Sequence, residues 1–186
     1  VAPDVPLIGS VSRLFDQKAP EVLLEAFARI LEQHPSAHAV LVGDGPRQQP
    51  LAAAGADERM GSRFHHLAHV PEVGRTLGDL DVFVLASRFE GAPYAPLEAM
   101  LAGTAVVLTD VVGNRDIVRP GCTGELVPAD DPAALAAAVG HLLSDAERRS
   151  ALGRAATDDV LDRFTVRQMA ARLEATYARV ASAPRS

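Results

Sequence analysis

Short apolar runs alternate with helical stretches along almost the whole chain, and this alternation limits the fold more than any other feature. The runs at 5–11, 38–42, 64–67, 82–85, 105–109 and 124–127 read as six strands, the first of them buried. Helical spacing marks 21–33, through Val22, Leu23, Ala26, Phe27, Ile30 and Leu31, and then 47–58. Helical turns are expected at 73–77 and 114–118, with a short helix at 96–102. From Pro132 onward three helices follow: 132–143, 147–162 opened by Asp145, and 166–180 capped by Thr165. Apolar strands separated by helices predict a parallel, doubly wound α/β sheet covered on both faces. The 186 residues form one domain, 1–186, and the tail from residue 181 is expected to fray.

Composition removes several classes of function. A net charge of −6 argues against a nonspecific nucleic-acid binder. No apolar run is long enough to span a membrane. The single cysteine, Cys122, precludes an internal disulfide and fits a reducing, cytoplasmic setting. No signal peptide is visible, and the chain starts at Val1, so it reads as a piece of a longer protein. Basic residues are almost all arginine, and Lys18 is the only lysine.

In doubly wound sheets, ligands bind beyond the carboxyl ends of the strands. The chemically interesting residues all fall in those loops, at 9–18, 43–45, 68–70, 87–98 and 110–114. Arg13 and Lys18 follow the first strand, where a forked guanidinium and a compact ammonium can grip a diphosphate. Glu90 sits in a Gly/Pro loop, and Glu98 is expected in the opening turn of the helix at 96–102, with Pro96 at its first position. A capping box for Glu98 would need Ser or Thr at position 95, which is alanine. Two loop acids beside a helix start suit a ligand with both phosphate and hydroxyl groups, as in a nucleotide sugar. Asp44 after the second strand suits an Asx-type turn or the edge of a nucleotide. His65 and His66 point to opposite faces of a strand, so with His69 they are not read as a metal site.

With these residues in place, the chain resembles the donor-binding, C-terminal half of a group 1 retaining glycosyltransferase of the GT-B fold. The resemblance runs from Gly9-Ser10-Val11-Ser12-Arg13-Leu14 to Phe164. It includes Gln17-Lys18, Val42-Gly43-Asp44-Gly45-Pro46, the stretch from Asp81 to Gly91, Leu97-Glu98-Ala99-Met100, Thr109-Asp110 and Gly124-Glu125-Leu126-Val127-Pro128. It implies a Rossmann-like domain that is one half of a GT-B enzyme, with an absent N-terminal acceptor domain as its partner. Any peripheral membrane association would run through that half.

The resemblance also implies roles. Arg13 and Lys18 would hold the diphosphate and stabilise the leaving nucleotide. Glu90 would contact the transferred sugar, and Glu98 the ribose hydroxyls. Backbone N–H groups at Gly91, Ala92, Pro93, Tyr94 and Ala95 would face the sugar or distal phosphate, and Val70 would pack on the base. The donor would be a UDP-, GDP- or ADP-sugar, with no cofactor and no metal. The isolated domain would bind nucleotide and catalyse nothing.

The chain departs from the family pattern at three places. Ala19-Pro20 stands where Gly commonly follows the lysine, Ala92 where a bulky residue is frequent, and Ala68-His69-Val70 where Gly-Arg/His-Val is typical. Two other readings fit the same residues: a nucleotide-sugar epimerase of the same architecture, and a non-catalytic nucleotide-binding module.

Overall fold

Six strands build one sheet in the order β3-β2-β1-β4-β5-β6. They are β1 (Leu7–Val11), β2 (His38–Val42), β3 (Phe64–Leu67), β4 (Val82–Leu85), β5 (Ala105–Thr109) and β6 (Glu125–Val127), and every pairing is parallel. The computed structural model describes residues 5–182, and at 50, 52, 53 and 55 only the backbone. The expectation for residues 183–186 lies outside the described residues.

The helices are α1 (Pro20–Gln33), α2 (Gln49–Ala56), α3 (Tyr94–Leu101), α4 (Val112–Ile117), α5 (Pro132–Ser144), α6 (Ala146–Arg163) and α7 (Val166–Ala181). Asp145 caps α6 by accepting from the Arg148 N–H, and Thr165 forms a capping box with Gln168 at the start of α7. Asp131 does the same for α5, accepting from Ala133 and Ala134.

Side-chain alternation divides the core between the two faces of the sheet. On one face Ile8, Leu41, Val84 and Val107 meet Phe27, Ile30 and Leu31 of α1 and Leu135 and Val139 of α5. On the other, Phe83, Leu85, Val106 and Leu108 meet Met100 of α3 and Ala156 and Val160 of α6. β4 and β5 are buried throughout because helices cover them on both sides. Full burial of side chains such as Phe27 and Phe83 contributes roughly 1.5–3 kcal/mol each.

α7 stands apart. It buries none of its residues, and Val166, Met169, Leu173, Tyr177 and Val180 form an exposed apolar stripe at helical spacing.

Some element ends differ from the sequence expectation, each for a local reason. β1 starts at Leu7 rather than residue 5, after Pro6, which has no N–H for the ladder. α2 starts at Gln49 because the Arg47 N–H goes to the Leu14 carbonyl at 2.9 Å. The turn expected at 73–77 is a 3₁₀ helix, Val73–Asp79, and α4 starts earlier, at Val112. α3 begins at Tyr94, with Pro93 as its N-cap, so Pro96 is its third residue and Glu98 its fifth. Glu98 is therefore two positions further into the helix than expected. Pro96 is tolerated because the first four N–H groups of a helix have no intrahelical partner.

Candidate functional site

Strand order reverses between β1 and β4, and the loops after these two strands meet across that seam. The first loop runs through Arg13 into a single 3₁₀ turn, Asp16–Lys18. Ala19 ends that turn at φ 47°, in the left-handed region that glycine adopts freely. This is the position where the family pattern has Gly, and here an alanine bears the strain of the same turn.

The second loop carries Ser87, Arg88, Phe89 and Glu90. It brings the Glu90 carboxylate against the Lys18 ammonium, a pair that spans 72 residues of chain. Side-chain exposure is 4% for Glu90 and 19% for Lys18, so the pair is largely removed from water. Glu90 Oε1 also accepts from the Ser87 hydroxyl at 2.5 Å. Oε2 receives only a long contact, 3.5 Å, from the Gln17 amide. Glu90 is thus the partner of the single lysine, with its side chain buried.

Beneath the pair lies a buried polar chain. Thr109 Oγ1 donates to the Ser87 carbonyl at 2.5 Å, and Asn114 Nδ2 donates to the Thr109 carbonyl at 2.8 Å. Ser87, Thr109 and Asn114 are 0%, 1% and 0% exposed. Gly113 lets α4 close on the loop, since a Cβ there would stand 2.6 Å from the Gly91 carbonyl oxygen and 2.7 Å from that of Glu90. Sequence reasoning gave none of these four a role. The available signal was polar residues at the ends of otherwise apolar strands.

The other proposed residues lie on more open ground. Arg13 is exposed, with its guanidinium 4.9 Å from the centre of the Phe15 ring. Asp44 turns its carboxylate onto its own loop, accepting from the Gly45 N–H at 2.6 Å and from the Gln48 amide; the expected Asx-type turn is not formed, because the N–H two residues on would be that of Pro46, which has none. Gly43 makes that loop possible: at φ 147° it approaches β1 so closely that a Cβ would stand 1.9 Å from the Ser12 carbonyl oxygen. Val70 and Val73 line an open cleft of about 490 Å³ with Arg13, Asp44, Ala68 and His69. The cleft shares Val11, Val42, Val70 and Val73 with a smaller apolar recess of about 230 Å³ against the sheet.

Glu98 is exposed on α3 and faces the 3₁₀ helix, where a Cβ on Gly74 would stand 3.8 Å from Oε2. Of Gly91, Ala92, Pro93, Tyr94 and Ala95, four can offer an N–H; Pro93 cannot, which corrects the five-residue expectation. His65 pairs with His38 across the strands, Nε2 to Nδ1 at 2.9 Å, and His66 Nε2 lies 2.8 Å from the Gly43 carbonyl. Among the described residues, no group of three or more His, Cys, Asp or Glu could hold a metal ion.

The domain is a Rossmann-like α/β fold with a lysine–carboxylate pair at the switch point of its sheet. Residues 2–159 match the family described as glycosyl transferases group 1, and the chain belongs to that family. It is 37% identical over 165 residues to a D-inositol 3-phosphate glycosyltransferase of Geodermatophilus obscurus, covering 83% of this chain and 37% of that protein. Among solved structures it is similar to the C-terminal domain of the group 1 glycosyl transferase LpcC of Francisella tularensis. There the TM-score is 0.75 at 25% identity, covering 87% of each chain. In fold alone it is similar to HepE of Anabaena, solved in complex with UDP-glucose, with a TM-score of 0.86 at 22% identity, covering 95% of this chain and 49% of that one. Its structural neighbours are GT-B glycosyltransferases.

Proposed function

We propose that this chain is the donor-binding domain of a retaining glycosyltransferase that takes its sugar from a nucleoside diphosphate. The observation that carries the reading is the Lys18–Glu90 pair at the carboxyl edge of β1 and β4. Lys18 offers positive charge where a leaving diphosphate would develop negative charge, and Arg13 stands in the same loop to add a forked contact. Glu90 Oε1 is taken by Lys18 and Ser87, which leaves Oε2 to accept from a sugar hydroxyl. Glu98 and the Val70 cleft supply a carboxylate for ribose hydroxyls and apolar walls for a base.

In this arrangement the domain positions the donor and stabilises its leaving group, while an acceptor would come from the remainder of a longer enzyme. The chain spans 37% of its inositol-phosphate relative, and the UDP-glucose complex of its HepE neighbour supports the choice of ligand class.

Titration of the domain with UDP, GDP, ADP and their sugars tests the reading. Weak binding of at least one is expected, and Arg13→Ala with Lys18→Ala should abolish it. Unchanged affinity in that double variant would remove the phosphate assignment. In the enzyme that contains this domain, Glu90→Gln should abolish transfer while the fold survives, and normal turnover would exclude Glu90 from the reaction.

A further inference from the structure

The Lys18–Glu90 contact needs something to hold the Lys18 turn in place. The 16–18 segment is a single 3₁₀ turn with no buried residue of its own, joined to the start of α1 only through the left-handed Ala19. Such a turn has few ways to fix itself. What fixes it comes from the opposite loop, at Arg88.

Arg88 reaches the turn twice. Its backbone N–H donates to the Gln17 carbonyl at 2.8 Å, and its Nη1 donates to the Asp16 carbonyl at 2.9 Å. The rest of the guanidinium is anchored on two acids from other elements. Nη2 meets Glu21 Oε1 of α1 at 2.7 Å, and Nε meets Asp130 Oδ1, in the turn before α5, at 2.8 Å. Arg47 adds to the same cluster, with its Nε 3.0 Å from Asp16 Oδ1. Burial alone would raise the Glu21 carboxyl, but its own backbone N–H and the Arg88 guanidinium outweigh this and hold it below the usual carboxylate range. The hydrogen bond to Glu21 in turn raises Arg88 above its ordinary value. All three guanidinium nitrogens thereby donate, one each to the 16–18 turn, to α1 and to the turn before α5.

The geometry points to Arg88 as a positioning residue: it clamps the 16–18 turn so that the Lys18 ammonium stands at the Glu90 carboxylate before any ligand arrives. Arg88 itself need not touch the ligand. The inference rests on the reading of Lys18 as a phosphate-binding group, but its first test does not.

Lys18 is the only lysine in the chain, so its acylation by an amine-reactive ester, followed peptide by peptide in a mass spectrometer, reports on this one side chain. The ion pair and partial burial make it slow to react in the parent protein. Arg88→Met should raise the rate severalfold, with circular dichroism showing that the fold persists. Glu21→Gln and Asp130→Asn, which each remove one anchor and leave Arg88 in place, should raise it less. If all three leave the Lys18 rate where it was, the clamp is refuted.

The second test is a double-variant cycle on UDP affinity. Arg88→Met should weaken UDP about tenfold in the parent, within the range expected for residues in one network, and have no further effect in Lys18→Met. A merely structural role would lower thermal stability and give additive losses of affinity, and additivity overturns the proposal. If Lys18→Met alone binds UDP, GDP and ADP as tightly as the parent, the phosphate reading fails. The acylation rates still decide the clamp.

Discussion

Glu90 and Glu98 are the same functional group eight positions apart, and they belong to different parts of the molecule. Glu90 is buried, paired with Lys18, bonded to Ser87 and supported from below by Thr109 and Asn114. Arg13 is exposed on the rim of an open cleft and Glu98 is exposed on α3, and among the described residues neither forms an ion pair. One end of the crevice is built as core, with its charges already matched. The other is built as surface, with its charges available. A change at the first end should therefore appear in stability and function together, and a change at the second in binding alone.

Four measurements can break or sharpen that contrast. The largest effect is expected from Glu90→Ala, which leaves the Lys18 ammonium in a largely dry site without its partner. Unfolding in urea should show a loss of roughly 3 kcal/mol, and a loss within error of zero would mean the pair is not part of the core. Next comes Gly43→Ala on the cleft wall. The clash with the Ser12 carbonyl and the positive φ should lower stability by roughly 2 kcal/mol, and unchanged stability would show that the wall yields. Third, Arg13→Ala should weaken UDP about tenfold, or about 1.4 kcal/mol, while the unfolding midpoint stays put, because the side chain is exposed. A matching loss of stability would erase the distinction between the two ends.

The smallest effect is a control at the amino edge of the sheet, far from the crevice. Burial, and then the neighbouring His65, hold the His38 imidazole below its usual value of 6.5. Between that lowered value and 6.5 the unfolded chain binds more protons than the folded one, so stability falls as the pH drops through this window. His38→Gln should flatten that part of the pH profile of the urea midpoint. An unchanged slope would place the titration elsewhere.

The strands were the most legible part of the fold. β2, β3, β4 and β5 begin and end where expected, and for β4 and β5 the reason is that a strand buried on both faces has no polar residue to blur its ends. Prolines blurred the rest. Pro93 and Pro96 both suit a helix start, and the structure uses Pro93 as the cap, which moved Glu98 from the opening turn to the fifth position. At the site, Arg13, Lys18, Glu90 and Glu98 could be placed from their position beyond strand ends. That Lys18 belongs to Glu90 could not, because the partners are 72 residues apart and nothing local to either announces the other. The Arg88 anchors are equally remote, at 67 and 42 residues.

The seam beneath the crevice also bears on how the chain folds. β1 pairs with β4 over 74 positions, Ile8 to Val82, whereas every other strand pairing joins consecutive strands. The Leu7 N–H donates to Asp81 across the same distance, at 2.8 Å. Pairings of that range carry the highest closure entropy and are slow to form. A refolding chain can assemble β1–β3 and β4–β6 as two separate ribbons and still lack the Lys18–Glu90 pair. That pair exists only once the ribbons have zipped together, so its formation marks the completion of folding.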